Sequence, residues 1–296
     1  MVLNMNKNGK IHLYLLGGLG NQMFQFSTAY AFSEVFNIEF VINYSFLTKK
    51  GNHTIRDFGL NKFENIDNNY SFGSNLGLGY FVARFARKFP FISKITKEYL
   101  VLESDLNVSI DSFDSQCEYH LIGYWQNLDH FVKNRQELLK LFNFNAVLRD
   151  VVEHIISLLK QKNSVAIHVR QGDYQKQNSI HKILDKDYYS TAINEIERQN
   201  VLCNYFIFGQ NLDFLDDVLN GRKHNVFKVE NNEPIVDMAF ISMAHYVVTA
   251  NSTFSWWGAW LNEREDKVVY APKDWYEQDG CDIAKEDFIP EDWRCI

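Results

Sequence analysis

The chain has 296 residues, of which 46% are hydrophobic and 23% are charged. This length and composition are typical of a soluble globular protein of two domains that buries a large core. The net charge of −7 argues against nucleic acid held by a general electrostatic field. Four separate cysteines, without a C-x-x-C pair, indicate neither a zinc knuckle nor a redox motif.

The chain opens with a predicted strand, a glycine-rich loop and a helix. The apolar run 11–16 is followed by the loop 17–22, and residues 23–36 have apolar side chains at helical spacing. Backbone N–H groups at such a helix start can bind an anion or a sugar hydroxyl. The loop matches neither a dinucleotide-binding nor a P-loop pattern, and a purely structural turn is an equally good interpretation. A second strand at 38–42 completes a βαβ opening.

Residues 76–97 form a basic amphipathic stretch, in which phenylalanines alternate with arginines and lysines. Such a stretch can lie on an anionic membrane, but it is more often a domain helix with a solvated cationic face. Further strands are predicted at 99–103 and 118–125, and helices at 127–142 and 146–160. The helical pattern breaks near 144–149, which divides the chain into predicted domains 1–148 and 149–296.

The most informative stretch lies at the start of the second predicted domain. The apolar run 165–167 predicts a buried strand, and His168, Arg170 and Asp173 follow it directly or nearly so. A strand delivers such side chains to the carboxyl edge of its sheet, where open α/β folds bind ligands. We therefore expect chemistry at this edge.

The rest of the second half alternates between helices and strands. Helices are predicted at 185–199, 212–219 and 234–244, and strands at 204–208, 226–229, 246–249 and 268–271, the last of which is expected to close the sheet. Asp185 and Asp187 match the D-x-D pattern that holds a metal in many sugar transferases, although an ordinary helix N-cap is the favoured interpretation. The alternation predicts an α/β fold of two Rossmann-like domains that face each other across a cleft.

A second polar cluster follows the strand 246–249. Asn251, Ser252 and Thr253 lie at the predicted start of a tryptophan-rich helix, which is a suitable place for an anion. Together with the Arg170 guanidinium, this helix start would clamp a diphosphate and stabilise the negative charge on a departing diphosphate without a metal. Asp173 or Asp237 could accept the paired N–H donors of a guanine. A purely structural arginine is the competing interpretation.

Three motifs of this chain resemble those of the α-1,2-fucosyltransferases, glycosyltransferase family 11, and they occur in the family's order. They are 17–25 (GGLGNQMFQ), 168–174 (HVRQGDY) and 251–261 (NSTFSWWGAWL). Shorter matches at 123–126, 187–189 and 271–275 extend the similarity over roughly residues 13–275.

The resemblance implies a GT-B-type fold, GDP-L-fucose as the donor, inversion at the anomeric carbon and no cofactor or metal. It also implies that Arg170 binds the β-phosphate, that His168 and Asp237 contact the guanosine, and that Asn251, Ser252, Thr253 and Phe254 line the donor site. The implied acceptor-side residues are Gly20, Asn21, Gln22, Tyr124 and Trp125. Asn21 would face the reacting centre, so Arg170, Asp173 and Asn21 are the expected catalytic residues, with Asp173 as the candidate base.

The chain departs from the family at Gln171, where a second arginine is usual. If that arginine bonds phosphate, donor affinity is weaker here, whereas a packing arginine would leave it unchanged. We expect galactoside α-1,2-fucosyl transfer to an oligosaccharide or glycolipid, in O-antigen or other surface-glycan synthesis. The alternatives are another linkage or a non-catalytic glycan-binding protein. No predicted segment is long and apolar enough to span a membrane, so a cytoplasmic location is expected, with peripheral contact to the inner membrane and the oligomeric state left open.

Overall fold

The structure is a computed structural model, and it describes residues 9–48, 55–105, 113–149, 151, 153–170, 182–199, 202–222, 224–276 and 288–296. The chain divides into two compact units, Met1–Phe142 and Asn143–Ile296. The sequence had placed this division after residue 148. Each unit has its own parallel β-sheet.

The first unit is built on a five-stranded sheet in the order β3-β2-β1-β5-β4, and every described pairing in it is parallel. Its strands are β1 (Lys10–Tyr14), β2 (Glu39–Asn43), β3 (Phe72–Gly73), β4 (Glu98–Leu102) and β5 (Glu118–Ile122). Its helices are α1 (Leu19–Phe36), α2 (Ser45–Thr48), α3 (Glu64–Asn69), α4 (Leu78–Ala86), α5 (Pro90–Thr96) and α6 (Arg135–Leu141). Phenylalanines pack against one another in the interior of this unit. Phe26, for example, lies edge-on to both Phe40 and Phe142.

The second unit has a six-stranded parallel sheet in the order β11-β10-β9-β6-β7-β8. Its strands are β6 (Ser164–Val169), β7 (Cys203–Gly209), β8 (His224–Lys228), β9 (Tyr246–Val248), β10 (Val268–Ala271) and β11 (Arg294–Cys295). Its helices are α7 (Glu153–Leu159), α8 (Lys186–Glu197), α9 (Asp216–Leu219), α10 (Pro234–Ile241) and α11 (Thr253–Trp260). Every residue of β6 is buried, as expected for a central strand covered on both faces.

Several predicted boundaries were wrong. The expected helix at 127–142 is two short 3₁₀ turns, Leu128–His130 and Val132–Asn134, followed by α6. The expected helix at 146–160 is reduced to α7. Residues 268–271 do not close the second sheet, because β11 pairs with β10 and forms its edge.

Within the described part of the chain, no helix has both the length and the apolar character needed to cross a membrane. Cys117 and Cys203 are buried free thiols, and burial raises the pKa of each. Cys295 is also free, at the exposed edge strand.

Candidate functional site

Arg170 meets Ser252 at the carboxyl edge of the second sheet. Strand β6 ends at Val169, and the guanidinium of the next residue, Arg170, donates a hydrogen bond from Nη1 to Ser252 Oγ at 3.0 Å. The two residues are 82 positions apart in the sequence. The parallel sheet brings them together because β6 and β9 are neighbours, and Ser252 follows β9 by a few residues. The expected pairing of an arginine with a Ser/Thr-rich helix start is therefore confirmed.

Ser252 precedes helix α11, yet its side chain does not cap that helix. The turn is held instead by Ser255, whose hydroxyl accepts a hydrogen bond from Ala250 N and lies 3.2 Å from Ser252 O. The Ser252 hydroxyl is thus left to bond Arg170, and the first N–H groups of α11 stay at the positive end of the helix dipole. This explains why the sequence carries more hydroxyl residues here than one cap requires.

Tryptophans fix helix α11 in the core. Trp256 and Trp257 are fully buried, and the indole of Trp256 stacks on that of Trp260 with ring centroids 5.8 Å apart. Trp256 Nε1 also donates to Phe288 O at 2.8 Å. Because a buried helix with a paired indole has little freedom to move, the amino end of α11 is held in place against Arg170.

Asn251 is an interior residue in this structure. Its side chain is fully buried, and Nδ2 donates to the backbone carbonyls of Lys182 and Trp275. The Asn251 amino group therefore joins two segments of the second unit. Its predicted role as a donor contact finds no support in this geometry, because the group that would donate to a ligand is engaged inside the protein.

His168, two residues before Arg170, is a buried and neutral imidazole. It is 7% exposed, its ring centroid is 5.5 Å from that of Phe254, and Nδ1 has no hydrogen-bond partner among the described residues. Burial, with a smaller contribution from the Arg170 guanidinium, lowers the pKa of His168 to about 3. The rings of His168 and Phe254 thus lie side by side near the end of β6.

Gly209 shapes the same edge from the neighbouring strand. It pairs with Val169, and its φ of +122° is a conformation that favours glycine. A Cβ at this position would lie 1.9 Å from Val169 O. Only glycine therefore lets β7 pass the point at which the backbone turns from Val169 to Arg170.

Asp237 lies in the first turn of α10, the helix that packs against α11. Its carboxylate accepts a hydrogen bond from Asn232 Nδ2 at 3.0 Å. Burial raises the pKa of Asp237, and the Asn232 hydrogen bond partly opposes this shift. A half-buried carboxylate on the helix next to α11 has the chemistry expected of a guanine acceptor.

The first unit brings two candidate residues, Asn21 and Tyr124, together at the carboxyl ends of β1 and β5. Gly17 has a φ of +74°, and a Cβ there would lie 2.5 Å from Asn21 Nδ2 and 3.2 Å from Tyr124 Cε1. Asn21 Oδ1 accepts a hydrogen bond from Gln126 Nε2 at 3.1 Å. Tyr124 is 38% exposed, so its ring is accessible to a ligand. A fixed amide beside an exposed aromatic ring is an arrangement that can bind a sugar.

The other acceptor-side candidates lie inside the unit. Helix α1 begins at Leu19, two residues after Gly17, so Gly20, Asn21 and Gln22 belong to its first turn and the predicted six-residue loop was wrong. Gln22 is fully buried, and its amide bonds the backbone at Gly17 O, Asp57 O and Gly59 N. Gly20 is also buried.

Trp125 is likewise a core residue. It has no exposed surface, and it packs edge-on against Phe32 with ring centroids 6.5 Å apart. Its predicted contact with the acceptor was wrong, because the chain turns between Tyr124 and Trp125 and only Tyr124 faces outward.

Two predicted positions cannot be placed. Asp173, the candidate base, and Gln171, the departure from the family pattern, lie outside the described residues.

Asp185 has a structural role: its carboxylate caps α8 by accepting a hydrogen bond from Tyr188 N at 3.1 Å. The N-cap interpretation is confirmed, and no group of three metal-ligating side chains occurs among the residues that the structure describes.

A polar network on the first sheet was not predicted from the sequence. His120 Nε2 lies 2.8 Å from Glu98 Oε2, and His120 Nδ1 lies 3.0 Å from Tyr14 Oη. A neutral imidazole that donates to the carboxylate and accepts from the phenol satisfies both contacts. Beside it, His12 bonds Glu118 at 2.7 Å and stacks on His120 with centroids 4.7 Å apart. The only signal was polar residues at alternate positions of otherwise apolar strands.

The model of the family "Glycosyl transferase family 11" matches residues 2–296. The chain belongs to glycosyl transferase family 11. The family match agrees with the motifs at 17–25, 168–174 and 251–261, and it confirms the resemblance drawn from them.

Two curated relatives of this family 11 chain come from Escherichia coli. An α-1,2-colitosyltransferase is 32% identical over 289 residues, which cover 94% of this chain and 96% of the relative. The O-antigen biosynthesis glycosyltransferase WbnK is 29% identical over 284 residues, which cover 88% and 93%. Both are named as glycosyltransferases, as family membership leads one to expect.

Solved structures show the fold. A mutant of Arabidopsis thaliana FUT1 in complex with GDP has a TM-score of 0.50 at 10% identity, and the match covers 90% of this chain and 71% of that chain. POFUT1 in complex with GDP has a TM-score of 0.51 at 14% identity, with coverage of 89% and 98%. These matches confirm for the family 11 chain the expected GT-B-type α/β fold with two parallel Rossmann-like sheets.

Proposed function

We propose that this protein is an inverting galactoside α-1,2-fucosyltransferase, which transfers L-fucose from GDP-L-fucose to O2 of a terminal β-galactoside. Family membership and the relatives' activity support the reaction class. The observation that carries the proposal is the hydrogen bond between Arg170 and Ser252 at the amino end of α11. It sets a guanidinium and a helix N-terminus side by side, and both favour a diphosphate.

In this mechanism Arg170 binds the β-phosphate, and the N–H groups at the start of α11, with Ser252 and Thr253, bind the remaining diphosphate oxygens. The acceptor O2 attacks the anomeric carbon from the face opposite the diphosphate. The bond from that carbon to the phosphate oxygen breaks, and the negative charge moves onto GDP. The charges that already point at the diphosphate stabilise this leaving group. Because side chains and backbone supply this stabilisation, we propose that no metal is required.

For the guanosine, we propose Asp237 as the acceptor of the guanine N–H donors, with His168 and Phe254 beside the nucleoside. On the acceptor side, we propose Asn21 as a positioning amide and Tyr124 as a stacking surface for the sugar. An amide cannot take a proton, so the acceptor hydroxyl needs a separate base. We keep Asp173 in that role, with the departing phosphate as the alternative acceptor of the proton.

The experiment is an acceptor panel of galactosides and other sugars incubated with GDP-fucose. We expect release of GDP and a new α-1,2 linkage in the product, identified by NMR. GDP release with a different linkage would contradict the specificity, and binding of galactosides without GDP release would favour a non-catalytic glycan-binding protein. Arg170→Ala should abolish most of the turnover, and near wild-type turnover in that variant would contradict the clamp.

Transfer of colitose is a second candidate, and the α-1,2-colitosyltransferase relative at 32% identity favours it. Colitose is fucose without one hydroxyl group, so the same clamp would hold either GDP-sugar. The two candidates are separated by a direct competition between GDP-fucose and GDP-colitose. If kcat/KM is higher for GDP-colitose, then GDP-colitose becomes the proposed donor in place of GDP-fucose, and the rest of the mechanism is unchanged.

A further inference from the structure

Helices α4 and α5 carry a continuous apolar surface that no described part of the chain covers. We call it the phenylalanine surface, and its residues are Leu78, Phe81, Phe85, Phe89, Phe91 and Ile95. Their relative exposure runs from 44% for Phe89 to 79% for Leu78. Single exposed apolar residues are common in folded proteins, but six on one pair of helices form a patch of the kind that marks an interaction site.

The geometry of α4 explains why this surface faces outward. Tyr80, Ala83 and Ala86 are buried, and the helix packs through them against β4. Leu78, Phe81 and Phe85 lie on the opposite side at spacings of three and four residues. The helical structure itself therefore separates a packed face from an exposed apolar face.

The surface continues from α4 into α5. The ring centroids of Phe85 and Phe89 are 5.3 Å apart, and those of Phe89 and Phe91 are 6.5 Å apart. Pro90 begins the second helix between them. The three phenylalanines thus join the two helices into one apolar strip.

The charged residues of α4, α5 and their connection are all basic. Between Asp67 and Glu98 the sequence contains no acidic residue, and it contains five basic ones, Arg84, Arg87, Lys88, Lys94 and Lys97, in a chain of net charge −7. Arg87 is paired with Asp105 at 2.5 Å, whereas Arg84, Lys88 and Lys94 are exposed. An apolar strip flanked by exposed cations is complementary to an apolar surface with anionic edges.

We propose that the phenylalanine surface docks on an anionic lipid bilayer, with the phenylalanine rings at the boundary between headgroups and acyl chains. Arg84, Lys88 and Lys94 would contact lipid phosphates while their aliphatic stems lie along the apolar strip. At nine and seven residues, α4 and α5 are too short to span a bilayer, so they would lie in its plane. This inference does not depend on the sugar that the protein transfers.

The test is sedimentation of the purified protein with vesicles of phosphatidylglycerol and phosphatidylcholine, compared with vesicles of phosphatidylcholine alone. We expect binding to the anionic vesicles that falls at least tenfold in the triple variant Phe81→Ser, Phe85→Ser, Phe91→Ser. The charge-reversal variant Arg84→Glu, Lys88→Glu, Lys94→Glu should lose the preference for anionic lipid.

Matched controls replace exposed residues elsewhere. Val35→Ser with Leu202→Ser removes apolar surface, and Lys133→Glu, Lys160→Glu and Arg198→Glu reverse the same number of charges. Both controls should bind vesicles as the wild type does, and all variants should keep the wild-type circular dichroism spectrum and Tm. Equal vesicle binding by the wild type and the phenylalanine variant, or no binding by the wild type, would overturn the proposal. So would a dimer in gel filtration that the phenylalanine variant abolishes without any vesicle binding, since a second copy would then be the occupant.

Discussion

The proposed role of Arg170, which bonds both Ser252 and a phosphate, needs several N–H donors in a fixed geometry and not only a positive charge. One guanidinium nitrogen of Arg170 donates to Ser252, and a guanidinium carries its N–H donors in a planar fork whose geometry suits a phosphate. A lysine keeps the charge and three donors, but it lacks the planar fork that bonds a phosphate through two parallel hydrogen bonds. We expect Arg170→Lys to lower kcat/KM for GDP-fucose by about 10- to 100-fold. The matched variant Arg198→Lys, at an exposed position of the same unit, should be unchanged, and wild-type kinetics for Arg170→Lys would contradict the proposed clamp.

Asp185 caps its helix, whereas we propose that Ser252 contacts the donor. Both precede a helix, but only the Asp185 side chain caps its helix. Asp185→Ala should therefore cost about 1 kcal/mol of stability and leave turnover intact. Ser252→Ala should weaken donor binding with a smaller effect on stability, since no cap is lost. Urea unfolding and steady-state kinetics on both variants check this pair of outcomes, and a large loss of turnover in Asp185→Ala would restore a metal-binding role for that carboxylate.

His168 makes the stability of the second unit sensitive to acid. Its pKa is about 3 in the folded protein, against roughly 6.5 for an unperturbed histidine. Between these two pH values His168 is protonated in the unfolded chain and neutral in the folded protein. Its contribution to the free energy of unfolding is therefore fully present above pH ~6.5 and declines as the pH falls towards 3. We expect His168→Gln to lose less unfolding free energy than the wild type between pH 7 and pH 5. His154→Gln, an exposed control, should follow the wild type, and identical pH profiles for all three proteins would refute the assignment.

Individual site residues could be predicted only where their position on a strand decides their direction. Arg170 and Ser252 follow buried strands, so both were expected at the carboxyl edge of the second sheet. Trp125 and Asn251 also follow strands, but each has turned into the interior. Neighbouring residues in a turn can point in opposite directions, and the sequence has no periodicity there to show which one faces out.

At the scale of the elements, the Tyr14 hydroxyl of β1 forms a buried hydrogen bond to β5 that the sequence did not predict. Tyr14 Oη is the donor that satisfies the buried His120 Nδ1. Tyr14→Phe should leave that nitrogen unpaired and cost about 1–3 kcal/mol of unfolding free energy. Tyr99→Phe, on the opposite face of the sheet, should cost much less. Urea unfolding of the two variants distinguishes them, and equal losses would show that His120 does not rely on this bond.

Long, strongly patterned elements were predicted well, and short ones were not. The buried strands β6 and β7 stand out as apolar runs, whereas β3 and β11 have two residues each and leave no period to detect. The prediction of a helix at 127–142 rested on apolar residues at helical spacing, and it was wrong for the first part of the segment, which folds into 3₁₀ turns. One of these turns is stabilised by Asn127, whose side chain accepts a hydrogen bond from Asp129 N, a local competitor of the helix.

For the whole molecule, alternation of strands and helices was enough to predict two parallel α/β units, because each crossover needs a covering helix. In the proposed reaction, side chains and backbone N–H groups of the protein supply the stabilisation of the leaving group. We therefore expect transfer from GDP-fucose to proceed at the wild-type rate in excess EDTA. Loss of activity in EDTA that Mn²⁺ restores would contradict the metal-free mechanism, and it would require ligands beyond those that the structure describes.

Gly209 limits which substitutions the proposed donor site can accept. In a library randomised at single positions and selected for transfer, we expect only glycine to survive at 209, because any side chain would collide with Val169 O. Thr253 and Phe254 are half-buried, so a replacement there changes the proposed donor contacts without the backbone collision that occurs at 209. A search for variants with altered sugar or base preference should therefore vary the amino end of α11 and leave the Val169–Gly209 pair of β6 and β7 unchanged.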